Sequence, residues 1–202
     1  MNSFRLLRPD EIEIRVGQVS KDNARTPWYS LLLYKDARCD MSILDETVGP
    51  SNWTRTHKEL KGVIYCTVSI RFPIYEDVVV PETDIYGVTN LDPNTGKPIL
   101  KTVNKLVGYT DWASKEDCGT ESNTEKEKGE ASDSFKRACV NWGLGRELYT
   151  APRIFISEPW ASVGDRRALY VSDINYDEDG NITDVTIRDH KDETFAKKFR
   201  NR

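Results

Sequence analysis

Lys128-Gly-Glu-Ala-Ser-Asp-Ser-Phe-Lys-Arg-Ala-Cys-Val-Asn-Trp142 is the stretch on which the fold turns. At about 100° per residue, Ala131, Phe135, Ala138 and Trp142 fall within about 60° of one another. That apolar stripe marks a helix with one buried face. Lys128, Ser132 and Lys136 follow at i, i+4 and i+8 on an adjacent ridge, with Arg137 further round, and Gly129 leaves room for a backbone to approach. The helix is predicted to start near Thr120–Asn123, which offer caps, with Glu121, Glu125 and Glu127 favouring its first turns electrostatically. Gly143 should end it. The Lys-Ser-Lys ridge has two readings. It contacts successive phosphates, or it is a solvated amphipathic face laced with Glu/Lys pairs, and Asp133 on the same side favours the second.

Upstream, residues 12–19 alternate apolar and polar side chains as a half-buried strand does, and Leu31-Leu32-Leu33-Tyr34 has the look of a buried strand. Met41, Leu44 and Val48 then share one side of a short helix that Gly49-Pro50 should end. Two strands come next, Trp53 to Lys58 and Gly62 to Phe72, and in the second Ile64, Cys66, Val68, Ile70 and Phe72 form the core face. Residues 73–106 break the rhythm with Pro73, Pro81, Pro93, Pro98, Gly87 and Gly96, so they are expected to be an inserted loop or small hairpin. A further strand is expected over Val107 to Ser114, and both Trp53 and Trp112 are expected in the core.

Downstream, Pro152 to Ile156 is a short extended piece. Leu169–Ile174 and Ile182–Ile187 flank Asp177-Glu178-Asp179-Gly180-Asn181, which signals a C-terminal β-hairpin within 165–190. Residues 191–202 are expected to be a charged, frayed tail. Arg166-Arg167 lie in an expected loop, and His57 is expected to be structural. The whole therefore reads as one α+β domain over residues 1–202.

The chain has 202 residues with 29 Lys+Arg against 33 Asp+Glu, a formal charge of −4. Taken whole, that balance argues against a nucleic-acid partner, but net charge does not say where the charges sit. Residues 81–130 carry 6 basic against 10 acidic side chains, and residues 131–170 carry 6 against 4. The back half of the signature helix and the chain beyond it to residue 170 are therefore basic. No apolar run is long enough to span a bilayer and the first residues lack a secretory pattern, so a cytoplasmic protein with no membrane partner is expected. Cys39, Cys66, Cys118 and Cys139 are scattered, and only two histidines accompany them, so no metal site is expected and the thiols read as small core residues. Gly96-Lys97 is followed by Pro98 and lacks the upstream glycine of a phosphate loop, so no nucleotide cofactor is expected.

The run from Glu125 to Cys139 resembles the signature helix of the Rad-fifty-two-type single-strand annealing proteins, Lys-x-x-x-(Ser/Thr)-Asp-x-(apolar)-Lys-Arg-Ala. Tyr34-Lys-Asp-Ala-Arg38, the short helix after it and Gly49-x-x-x-Trp53 are similar to the family's Arg-containing segment and strand entry. Asn141-Trp-Gly-Leu-Gly-Arg-Glu-Leu-Tyr149 resembles the bacteriophage branch. The likeness covers roughly residues 30–72 and 107–157. Two features depart from the pattern: Val140 stands where the family often has another Arg, and the compact members lack an insertion like 73–106. The sequence also shows no long C-terminal extension of the eukaryotic kind, which again points to the phage branch.

The resemblance implies a strand-strand-strand-helix core, an antiparallel sheet packed on a long helix, that oligomerises into rings or arcs. It implies a groove for single-stranded DNA and places Arg38, Lys128, Ser132, Lys136 and Arg137 in it. Arg146 and Arg153, near the helix end, extend the groove or are solvated surface. Tyr149 either stacks on a base or packs beside Leu148, and packing is the expectation. The implied activity is ATP-independent annealing in recombination and double-strand-break repair, without catalytic residues and without enzymatic turnover. A single-strand-binding protein or an exonuclease, of host or phage, is the implied partner. The rivals are a metal-dependent nuclease built on Asp111, Asp117 and Glu121, and a passive protector of single strands.

Overall fold

The computed structural model describes residues 4–19, 28–119, 126–157, 169–191 and 193–201. In chain order the elements are β1 (Ile12–Val19), β2 (Trp28–Lys35), α1 (Ala37–Val48), β3 (Trp53–Leu60), β4 (Val63–Ile70), β5 (Pro73–Pro81), β6 (Leu100–Tyr109) and β7 (Ala113–Cys118). Then come α2 (Lys126–Trp142), a 3-10 turn at Arg146–Thr150, β8 (Ile154–Ser157), β9 (Leu169–Tyr176), β10 (Ile182–Asp189) and β11 (Ala196–Arg200). The class is mixed α+β, and every strand pair in it is antiparallel.

The sheet β3-β4-β7 carries α2 on one face. Its alternation decides which side: Cys66, Val68 and Ile70 of β4 are fully buried, as their parity requires. Phe135 of α2 is also fully buried, stacked on Trp53 and lying under the Arg55 guanidinium. Burying a side chain of that size is worth about 1.5–3 kcal/mol. Trp142 closes the far end by donating its indole N–H to the Val68 carbonyl at 3.0 Å. His57 meets the Ala131 carbonyl at 3.2 Å, a structural contact between β3 and α2. The opposite face of the sheet is polar, with Ser69 against Ser114 and Thr67 and Lys58 both on Glu116.

Two further sheets, β1-β2-β8 and β11-β10-β9, contribute to the same core through Ile12, Ile14, Leu31, Ile154, Ile156, Val185 and Ile187. The helix α1 starts on Asp36, whose carboxylate accepts from the Arg38 backbone N–H at 2.9 Å. It ends at Gly49, as the Gly-Pro pair predicts. The four cysteines are free thiols, and burial pushes Cys66 up to about 11 and Cys39 up to about 12.

Several expectations need correction. Val107 to Ser114 is not one strand. Val107–Tyr109 end β6, Thr110 turns the chain by donating its N–H to the Phe72 carbonyl at 2.9 Å, and β7 starts at Ala113. The insertion is therefore an ordered two-stranded arm, Pro73 paired with Tyr109 at its base, and it runs three residues beyond 106. Trp112 is 45% exposed rather than core, because it sits outside the β4–β7 register with Arg71 against its ring. Residues 191 and 193–201 are not a frayed tail. Phe195 and Phe199 are buried and anchor β11 against β10, an apolar spacing masked by the surrounding charges. The hairpin β9–β10 turns at Asp177–Asn181 as expected, with the Asp177 carboxylate accepting from two backbone N–H groups. The helix caps at Thr120–Asn123, with Glu121 and Glu125, and Arg166-Arg167 lie outside the described residues. No helix among the described residues is long and apolar enough to cross a membrane.

Candidate nucleic-acid interface

Because β8 begins only at Ile154, its pairing with β2 stops at Leu31, and the rest of β2 faces an open space. On the far side of that space lies α2, and its floor comes from the chain between Gly145 and Arg153. The result is a cleft of about 360 Å³. Leu31, Leu33, Val140, Leu148 and Pro152 make much of its wall apolar, while Lys35, Lys136, Arg137 and Arg153 bring four cations against the single carboxylate of Asp133.

The cations differ in how free they are. Lys136 and Arg153 have no ion pair among the described residues, so both can bind an anion without first breaking a salt bridge. Arg137 donates to Asp117 at 3.3 Å; burial is the largest single influence and works against its charge, but Asp117, with smaller contributions from Asp133 and Tyr149, outweighs it and raises the pKa. Arg38, on the first turn of α1, is not part of the lining and folds back so that its side chain donates to Asp36 at 2.8 and 3.1 Å. Those bonds, with the Lys136 charge as a smaller contribution, hold the Asp36 carboxyl below its ordinary range. The bonds from Arg38 of α1 and the weaker charge of Lys136 of α2 thus act on the same carboxylate.

Three of the seven expected site residues line the cleft: Lys136, Arg137 and Arg153. Arg38 does not line it. Ser132 is partly buried one turn before Lys136 and is not part of the lining. Lys128 belongs to α2, but its side chain lies outside the described residues. Arg146 has a local task. It donates to the Val140 carbonyl at 3.0 and 3.3 Å and to the Asn141 carbonyl at 3.1 Å, which satisfies the last carbonyls of α2. Tyr149 is corrected: it is 74% exposed at the cleft, not packed beside Leu148. Its place on a 3-10 turn, away from the 3.6-residue period, puts it on the surface while Glu147 turns inward. Asp117 is occupied by Arg137 and by Asn141, Asp111 is exposed, and Glu121 lies outside the described residues.

The sequence reading missed the pair beneath the cleft. Lys35 is 4% exposed and Asp40 is fully buried, and the ammonium donates to Asp40 Oδ1. Asp40 Oδ2 has no partner among the described residues. Burial drives the Asp40 pKa up to about 6, against the lowering effect of Lys35 and, more weakly, of Lys136. Gly145 makes room for the lysine stem. It has φ +66°, and a Cβ there would stand 2.6 Å from Lys35 Cδ and closer still to Cε. The parity of β2 carried the missing signal, since Lys35 shares the inward phase of Leu31 and Leu33. No protein-family model matches the chain, and no curated protein or solved structure matches it either.

Proposed function

We propose that the protein binds single-stranded DNA along the cleft between β2 and α2 and anneals complementary strands without nucleotide hydrolysis. The observation that carries this reading is the cleft lining, where Lys136 and Arg153 lie without ion pairs among four cations and a single carboxylate. Cations in that state take up phosphates and release the counterions of the strand, the main source of sequence-independent affinity. Tyr149 at the cleft offers a face on which a base stacks. Holding the strand by its backbone leaves base edges open to a complement, and pairing then supplies the free energy.

The chain order also supports the resemblance. Three antiparallel strands, β3, β4 and β7, are followed by α2, which carries Lys136-Arg137-Ala138. In this reading the protein is a phage-type recombination and double-strand-break repair factor that works as a ring or arc of copies in the cytoplasm. It acts beside a single-strand-binding protein or exonuclease that supplies its substrate. Complementary labelled oligonucleotides, mixed without ATP across a salt series, test it. The parent should speed annealing, and Lys136→Ala/Arg153→Ala should lower affinity and reduce the log–log salt slope by about 0.7 per lost contact. A parent that slows pairing is a passive protector. A variant with unchanged slope and rate removes the cleft from the reading.

A further inference from the structure

The arm β5–β6 buries no residue in the core, although an isolated two-stranded hairpin is marginal in water. Pro73 and Pro81 close both ends of β5, confining its free edge to residues 74–80. Its charges are segregated by strand. β5 carries Glu76 and Asp77 and no base, while β6 carries Lys101 and Lys105 and no acid. Beyond the strands Glu82 and Asp84 follow β5 and Lys97 precedes β6, with Asp92 at the tip between them. Glu76 sits directly opposite Lys105, yet the side chains of these two and of Lys101 make no ion pair or hydrogen bond among the described residues. Tyr75 and Val79 of β5 share one face of the arm with Leu100 and Leu106 of β6, Val79 64% exposed and Leu100 61%, and the same face holds the hydrogen bond from Asn104 to Asp77 at 2.9 Å.

We propose that the β5 edge of one copy pairs with the β6 edge of a second copy of this chain, so that arms join head to tail into a continuous sheet. Charge selects the occupant and the orientation. Pairing β5 with β5, or β6 with β6, sets like charges across the new ladder, which is destabilising. Pairing β5 with β6 sets Glu76 on the face that carries Lys101 and Lys105, with Asp77 adding its charge from the other face, and brings Tyr75 and Val79 of one copy next to Leu100 and Leu106 of the other. Such a contact is heterologous. Each copy keeps one free acidic edge and one free lysine edge, so the assembly grows into a closed ring or an open arc. The contact draws on the arm alone and stands apart from the DNA-binding cleft.

Light scattering on the full chain tests this. The parent should have a mass that is a multiple of 23.2 kDa. Glu76→Lys/Asp77→Lys and, separately, Lys101→Glu/Lys105→Glu should each fall to a single subunit. The quadruple exchange restores both the opposition within the arm and the complementarity between copies, and should recover the parental mass. The cleft variant Lys136→Ala/Arg153→Ala should keep that mass whatever it does to DNA binding, which separates this contact from the annealing reading. A monomeric parent, double variants that stay assembled, or a quadruple variant that stays monomeric would each overturn the proposal.

Discussion

Replacing Lys35 with Met leaves a fully buried carboxylate, Asp40, without its cation. Burial is the largest influence on Asp40 and raises its pKa from 3.8 to about 6 even with the ammonium in place. A folded-state pKa above the unfolded one means that the native state holds the extra proton. The associated stability is complete below pH 4 and is lost as pH climbs towards 6. About two units at about 1.4 kcal/mol each make that loss about 3 kcal/mol in the parent. At pH 6 Asp40 is half ionised in the parent, and beyond about pH 7 its stability levels off in this respect.

Lys35→Met removes the main influence that lowers the Asp40 pKa, so titration moves upward and the loss continues past pH 6. Relative to the parent, the variant should match it near pH 5 and fall behind by about 1 kcal/mol per further unit, reaching about 3 kcal/mol near pH 8. That is the scale on which breaking a buried ion pair destabilises a fold. Urea unfolding at pH 5, 6.5 and 8 reads it. Adding Asp40→Asn to Lys35→Met should abolish the pH-dependence, because the side chain that titrates is gone. A Lys35→Met penalty that is equal at pH 5 and pH 8 would refute the assignment of a desolvated, buried carboxylate beneath the cleft.

Gly119→Ala should cost about 1–3 kcal/mol, since its Cβ would meet the Glu130 carbonyl oxygen of α2, a backbone atom that cannot step aside. Gly108→Ala, in the arm with open space around it, should change the melting temperature little, and equal melting of the two variants would contradict the close approach of β7 to α2. Tyr149→Ala should leave stability within about 0.5 kcal/mol, as befits an exposed side chain. It should weaken single-strand binding by about 1–3 kcal/mol in fluorescence anisotropy, with Tyr149→Phe close to the parent. Unchanged affinity would remove Tyr149 from the interface.

Much of the fold was legible wherever side-chain period and burial agree. The parity of β4, the Phe135–Ala138–Trp142 stripe, the Gly49 stop and the Asp177–Asn181 turn all pointed to the elements observed. The failures share a cause. Phe195 and Phe199 are buried amid charges that read locally as a solvated tail, and Trp112 is exposed because it falls outside the β4–β7 register, neither of which local composition reveals. Thr110 divides an apparently continuous strand because Phe72, 38 positions earlier, captures its N–H. In the site, the helix motif located Lys136 and Arg137, and proximity to the helix end located Arg153. Lys35 went unnoticed because a charge after Leu31–Tyr34 reads as the polar end of a strand until the strand is known to run through it. Arg146 shows the converse, a cation in the right neighbourhood that the carbonyls of α2 have taken.

The junction at Phe72 and Thr110 also bears on the order of folding. In the core ladder Ile70 faces Ala113, 43 positions later, and closing a loop of that length is entropically costly and slow. The arm offers a shorter route. Its tip folds locally, with Asp92 accepting from the backbone of Asn94 and Thr95, and each successive pair down to Pro73 and Tyr109 closes only a small gap. Once zipped, the arm delivers Phe72 and Thr110 to one another, and β4 meets β7 as though the chain between them were a tight turn. The insertion thereby lowers the effective contact order of the sheet it interrupts. Turn-weakening changes at its tip should consequently slow the folding of a core that the tip never touches.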